Sequence, residues 1–156
     1  MAASDATERF AASASELGIE VAVRRYPEGT RTAVDAAAAV GCDVDQIVKS
    51  LVLMAGDQPI LVLCSGANRV DLAKVGAEFD GKVRMANADE VRAATGFAIG
   101  GAPPFGHPTP LPTLVDPHLL TFDEVWAAAG RPDSVFPLTP EALVAGSGAR
   151  PVDIAT

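Results

Sequence analysis

Two apolar runs joined by a five-residue segment constrain this chain more than any other feature. They are Leu51-Val52-Leu53-Met54 and Ile60-Leu61-Val62-Leu63, and Ala55-Gly56-Asp57-Gln58-Pro59 lies between them. Short apolar runs bounded by turn formers read as strands, and the short connection makes the pair a β-hairpin. Neither run alternates apolar with polar, so both faces of the hairpin need covering by other elements. The remainder of the chain must supply two layers.

Candidates for those layers are legible on both sides. Phe10, Ala14 and Leu17 share one face of a helix from about Asp5 to Leu17, which Gly18 ends. Glu20-Val21-Ala22-Val23-Arg24 alternates like a strand, and Tyr26-Pro27-Glu28-Gly29 reads as a turn. Thr32 is placed to cap a helix from Ala33 to Val40, with Asp35 at the capping-box spacing and Gly41 as the stop. Asp43 is placed to cap a short helix carrying Ile47 and Val48. Val70 to Phe79 reads as a helix with Leu72, Val75 and Phe79 inward, and Val83-Arg84-Met85 as a short strand. Asn87 caps Ala88 to Ala94, and Gly96 ends that helix. Leu114-Val115 and Val135-Phe136 read as strands, while Asp123 to Ala129 fits helix or strand equally. Thr139-Pro140-Glu141 opens a last helix with proline at its first position. Interleaved helices and strands around an antiparallel hairpin predict one α/β domain over residues 1–156, built on a strongly twisted mixed sheet.

Composition narrows the function. The formal charge is −8 over 156 residues, which argues against general nucleic-acid binding through a basic surface. Local contact with a nucleic-acid end stays open, because Arg24, Arg25 and Arg31 crowd one stretch. The two cysteines, Cys42 and Cys64, make no disulfide framework, and Cys64 lies in an apolar run as a small buried hydrophobe. The N-terminus carries no signal-peptide pattern, and no stretch approaches the roughly 20 apolar residues of a membrane span. A soluble cytoplasmic protein is expected, with no membrane and no DNA partner.

The segment Gly100-Gly101-Ala102-Pro103-Pro104-Phe105-Gly106 has almost no side-chain chemistry. Glycines allow positive φ and close backbone approach, and prolines fix φ and remove amide donors. Such a loop suits recognition of a small polar ligand by main-chain groups, or serves only as a tight connection. Lys49 stands among Ile47, Val48, Leu51, Val52 and Leu53, at the end of the expected short helix. An ammonium there either snorkels to water or projects into a cleft to meet an anion. His107 and His118 form no metal pattern, and no nucleophile elbow, dinucleotide fingerprint or phosphate loop is present. His107 directly follows the loop, and His118 reads as a solvated turn residue.

Five pieces occur in order. They are Val48-Lys49-Ser50-Leu51; Val70-Asp71-Leu72-Ala73-Lys74; Thr95-Gly96-Phe97 leading into the glycine loop; Leu111-Pro112-Thr113-Leu114-Val115-Asp116; and Val125-Trp126 with Ala129-Gly130. This series resembles the YbaK/EbsC family, free-standing relatives of the editing domain of bacterial prolyl-tRNA synthetases. The resemblance implies a partly barrel-like mixed sheet surrounded by helices. It also implies trans-editing hydrolysis of the ester of a mischarged aminoacyl-tRNA, tRNA(Pro) carrying a small wrong amino acid, with neither metal nor organic cofactor. Prolyl-tRNA synthetase is the implied protein partner. Lys49 matches the family's essential lysine and Gly101 the catalytic loop position. Tyr26, Ser50, Gly100, Ala102, Pro103 and Gly106 match substrate-binding positions. On this reading a side chain at Gly101 would point into the cleft or demand a strained φ, and would damage catalysis more than stability. Ser134-Val135-Phe136-Pro137 departs from the acidic residue expected in cysteinyl-specific members, giving a less polar pocket wall. The rival reading is a non-catalytic module of the same fold that binds tRNA or a synthetase.

Overall fold

A computed structural model describes residues 6–27, 30 and 32–156. The hairpin is its centre. Strand β2 (Ile47–Ala55) pairs antiparallel with β3 (Gln58–Ser65) from Val48 to Ala55, Lys49 facing Cys64 and Ser50 facing Leu63. Around it run β1 (Arg24–Arg25), β4 (Val83–Met85), β5 (Thr113–Val115), β6 (Val125–Ala128), β7 (Ser134–Leu138) and β8 (Arg150–Pro151). The eight-stranded mixed sheet has the order β1-β7-β6-β2-β3-β5-β8, with β4 branching from β2. The pairs β2–β6, β3–β5 and β5–β8 are parallel.

Both faces of the hairpin are covered, as its composition demands. The even-numbered β2 residues Val48 and Val52 join a core with Phe10 and Ala14 of α1 (Ala6–Glu16), Val91 of α4 (Ala88–Thr95) and Leu143 of α5 (Pro140–Ser147). Phe10, Phe105 and Phe136 stack there with ring centroids 4.9–6.0 Å apart, close to the preferred aromatic spacing. On the opposite face Leu53 packs with Val75 of α3 (Leu72–Glu78), and Ile47 packs with Ala36 and Ala37 of α2 (Ala33–Val40). Caps set the helix starts. The Thr32, Asn87 and Thr139 side chains accept from the Asp35, Glu90 and Ala142 amides. Gly41 and Gly96 end their helices with φ of 79° and 80°, the left-handed region open to glycine.

Several expectations need correction. Residues Ile47, Val48 and Lys49 are strand, not helix: only Val44–Gln46 forms a 3-10 turn after Asp43, and β2 starts at Ile47 because Trp126 on β6 pairs with it. The alternating segment Glu20 to Val23 finds no partner strand, and only Arg24 and Arg25 pair, with β7. Leu17 and Leu72 are exposed rather than inward. The open segment 123–129 contains β6. Asp5, Arg31 and the Glu28-Gly29 half of the expected turn lie outside the described residues.

Candidate active site

Beside β2 lies a cleft of about 510 Å³, within the range typical of small-ligand sites. Lys49 and Ser50 sit on its floor, and Gly100 and Ala102 line it from the glycine loop. Residues from both faces of β2 reach it: Ile47 and α2 on one side, Val48, Val52 and Val91 on the other. Trp126 and Val135 form apolar wall, and Val34, Met85 and Ile99 line it while remaining well exposed. Val135, on the strand after Gly130, contributes an apolar side chain to that wall.

The Lys49 side chain leaves β2 on the Cys64 side and donates from Nζ to the Asn68 carbonyl. Among the described residues no carboxylate stands within ion-pair distance of that ammonium. A buried acid holds the seat in place. Asp116, 4% exposed, accepts from Asn68 Nδ2 at 2.8 Å and the Ser65 amide at 3.1 Å through one oxygen, and from the His118 amide at 3.0 Å through the other. Three donors on one carboxylate tie the 65–68 turn to the segment after β5. Cys64 lies fully buried in this cluster, and burial, reinforced by Asp116 and opposed by Lys49, pushes its thiol up to about 11. Asn68 and Asp116 were not singled out by sequence reasoning. The small-residue turn Ser65-Gly66-Ala67-Asn68 after an apolar strand was the available signal.

The glycine loop divides into two functions. Gly100 takes φ +85° at the third position of a turn closed by the Gly101 amide on the Ala98 carbonyl, a geometry that favours glycine. A Cβ on Gly100 would meet nothing within 4 Å, and the Gly100 and Ala102 amides have no partner among the described residues. Gly101 differs. Its carbonyl accepts from the Gly130 amide at 2.9 Å, and a Cβ on it would lie 2.8 Å from the Arg131 backbone. The expectation that a side chain there points into the cleft is therefore corrected: Gly101 is buried against the 130–132 turn and does not line the cleft.

The other loop candidates also turn away. Pro103 is buried with its carbonyl 2.8 Å from His107 Nε2, and a Cβ on Gly106 would lie 3.1 Å from Ser13 on α1. Gly106 and His107 line a separate hollow of about 270 Å³. Tyr26 packs behind the wall, in the cluster of α2 and Trp126, with its amide bonded to the Asp133 carbonyl. His118 is no free turn residue: its Nε2 lies 2.7 Å from Asp45 Oδ2. Among the described residues no group of three or more metal-ligating side chains occurs, and no helix is long and apolar enough to cross a membrane.

Burial holds the His107 pKa below its ordinary 6.5, partly countered by the bond to Pro103. The folded chain thus favours the neutral ring, and the unfolded chain binds a proton first as pH falls. The His107 contribution to stability is present above about pH 6.5 and lost below it. Melting temperature should drop further between pH 7 and pH 5 in the wild type than in His107→Gln. Equal drops in parallel thermal melts would remove His107 from the acid response.

The cleft combines apolar walls, Lys49 on its floor and a loop whose Gly100 and Ala102 amides have no partner among the described residues, a combination suited to a small, oxygen-rich, anionic ligand. Residues 27–145 match the aminoacyl-tRNA editing domain, and the chain belongs to that family. It is 34% identical over 122 residues to the uncharacterized protein YwhH of Bacillus subtilis (strain 168), covering 78% of each chain. It is 26% identical over 133 residues to EbsC of Enterococcus faecalis, provisionally named a Cys-tRNA(Pro)/Cys-tRNA(Cys) deacylase, covering 84% of this chain and 81% of that one. A crystal structure described provisionally as a trans-editing enzyme for prolyl-tRNA synthetase superposes with a TM-score of 0.94 at 45% identity, over 99% of both chains. The YbaK/EbsC resemblance and the α/β editing-domain fold are thereby established.

Proposed function

We infer that this protein is an aminoacyl-tRNA deacylase that removes a small non-cognate amino acid from tRNA(Pro) in trans. The observation that carries the reading is Lys49: a cation on an apolar cleft whose bonded partner is a neutral carbonyl and which, among the described residues, has no carboxylate within ion-pair distance. Desolvating an ammonium is unfavourable unless an anion meets it, and a tRNA 3′ end brings phosphate. Lys49 anchors that end. The Gly100 and Ala102 amides face the ester, and Trp126, Val135 and the small residues of the wall admit an apolar side chain of limited size.

The chemistry needs little more. Water attacks the ester carbonyl carbon, and the bond to the ribose oxygen breaks. One proton from the water ends on the ribose hydroxyl, and the amino acid leaves as a carboxylate with release of the other. Orientation and stabilisation of the developing oxyanion by fixed donors supply the rate. Gly101 acts here by holding the loop against the 130–132 turn rather than by touching the ester. The whole chain acts as one domain, in the cytoplasm, with prolyl-tRNA synthetase or another carrier delivering the tRNA to its acidic surface.

A deacylation panel tests the reading. Alanyl-, seryl- and cysteinyl-tRNA(Pro) are offered beside the same amino acids on their cognate tRNAs. Hydrolysis of at least one tRNA(Pro) ester is expected, with the cognate pairs spared. A folded protein that binds tRNA and cleaves no ester would instead establish the non-catalytic module.

A further inference from the structure

One edge of β2 is interrupted. Pairing with β6 ends at Val48 opposite Ala127, and pairing with β4 begins at Leu53 opposite Met85. The Val52 carbonyl already accepts from the Ala86 amide at 3.0 Å. Main-chain groups alternate along a strand, each residue sending its N–H and C=O to the same side. The Ile47 carbonyl accepts from Gly66, toward β3, whereas Val52 points toward β4. Even-numbered residues therefore face the interrupted edge. Ser50 stands midway between Val48 and Val52, and its N–H and C=O face no strand.

This one-residue gap opens into the cleft. Ala86, Ala127 and Ala128 flank it, with Gly100 and Ala102 nearby, so no large side chain fills it. The Ser50 hydroxyl is buried without a hydrogen-bond partner among the described residues. Among the described residues the Ser50 N–H and C=O also have no hydrogen-bond partner, and a buried hydroxyl like this one is ordinarily satisfied. Unused strand-edge groups are ready to pair with an extended chain.

We propose that Ser50 is a subsite for the free α-aminoacyl group, which it pairs with as though that group were one residue of a β-strand. This rests on the deacylase reading above and names the part of the substrate that Ser50 recognises. An α-amino acid ester carries a nitrogen donor and a carbonyl acceptor on either side of one α-carbon, the spacing that one strand residue presents. The α-ammonium donates to the Ser50 carbonyl. The ester carbonyl accepts from the Ser50 amide, which polarises it toward attack. An acetylated amine keeps one N–H but loses the positive charge that strengthens the first bond, and its acetyl group clashes with the alanines around the gap.

The test compares alanyl-tRNA(Pro) with N-acetylalanyl-tRNA(Pro) and with lactyl-tRNA(Pro), in which a hydroxyl replaces the ammonium. Single-turnover rates should fall at least about tenfold for the acetylated ester and by a smaller factor for the lactyl ester. Equal rates for all three overturn the proposal. A slow acetylated ester beside a lactyl ester as fast as the alanyl one overturns it too, since crowding alone would then explain the loss. A binding arm separates this from failure of the deacylase reading. The amide-linked analogue 3′-alanylamino-3′-deoxyadenosine should shift the Ser50 amide resonance, and its N-acetyl form should not. That pattern with no ester cleaved would retain the subsite and refute the deacylase; no Ser50 shift refutes the subsite.

Discussion

Gly101→Val is expected to lower the melting temperature by roughly 5–10 °C. The residue is buried, and an added Cβ would approach the Arg131 backbone to 2.8 Å and the Pro132 nitrogen to 2.9 Å. Backbone cannot swing aside as a side-chain tip can, so the 130–132 turn or the glycine loop must shift. Overpacking of this kind costs about 1–3 kcal/mol or more, and in a chain of this length each kcal/mol is worth about 2–4 °C. The shift would also strain the bond between the Gly130 amide and the Gly101 carbonyl. Any loss of deacylation should follow the loss of folded protein. Thermal melts and single-turnover rates on one preparation check this; an unchanged melting temperature with abolished turnover would place Gly101 in the chemistry after all. Gly100→Ala is the contrast. It has open space but a φ of +85°, so its penalty is backbone strain of about 1 kcal/mol rather than a clash.

Lys49→Met should behave in the opposite way. Methionine keeps much of the apolar stem and removes the charge. The bond lost is one to a carbonyl in a cleft open to solvent, so the fold should survive with little change in melting temperature. Deacylation should fall at least tenfold, which corresponds to about 1.4 kcal/mol of transition-state stabilisation. Lys49→Arg should recover only part of the rate, because the planar guanidinium does not replace a point charge on a flexible stem. A folded Lys49→Met protein with normal turnover would refute the anchoring role.

What the sequence made legible was local. The hairpin follows from two apolar runs and a turn. The starts of three helices follow from Thr32, Asn87 and Thr139, whose hydroxyl or amide oxygens accept from amides three residues on. Lys49 drew attention because a cation among apolar residues needs a reason. What stayed hidden was set by partners distant in the chain. The strand that carries Lys49 starts as early as Ile47 because β6, nearly eighty residues later, pairs with Ile47 and Val48. Gly101 faces a turn thirty residues away. Glu20 to Val23 alternates as a strand should, yet pairing with β7 reaches only Arg24 and Arg25. Asp116 was visible as part of a motif, but its three donors come from Ser65, Asn68 and His118, and no sequence spacing announces that convergence.

The split edge of β2 has a consequence for how such a protein diversifies. On the proposed reading the ester is gripped in part by main-chain atoms at Ser50, Gly100 and Ala102, and those atoms, unlike the Lys49 side chain, survive almost any substitution that preserves the fold. Val34, Met85 and Ile99, exposed along the cleft and touching no part of that backbone machinery by hydrogen bond, are free to drift. If the deacylase reading holds, a descendant could exchange the amino acid it removes by repainting three surface positions, while inheriting those main-chain contacts unaltered.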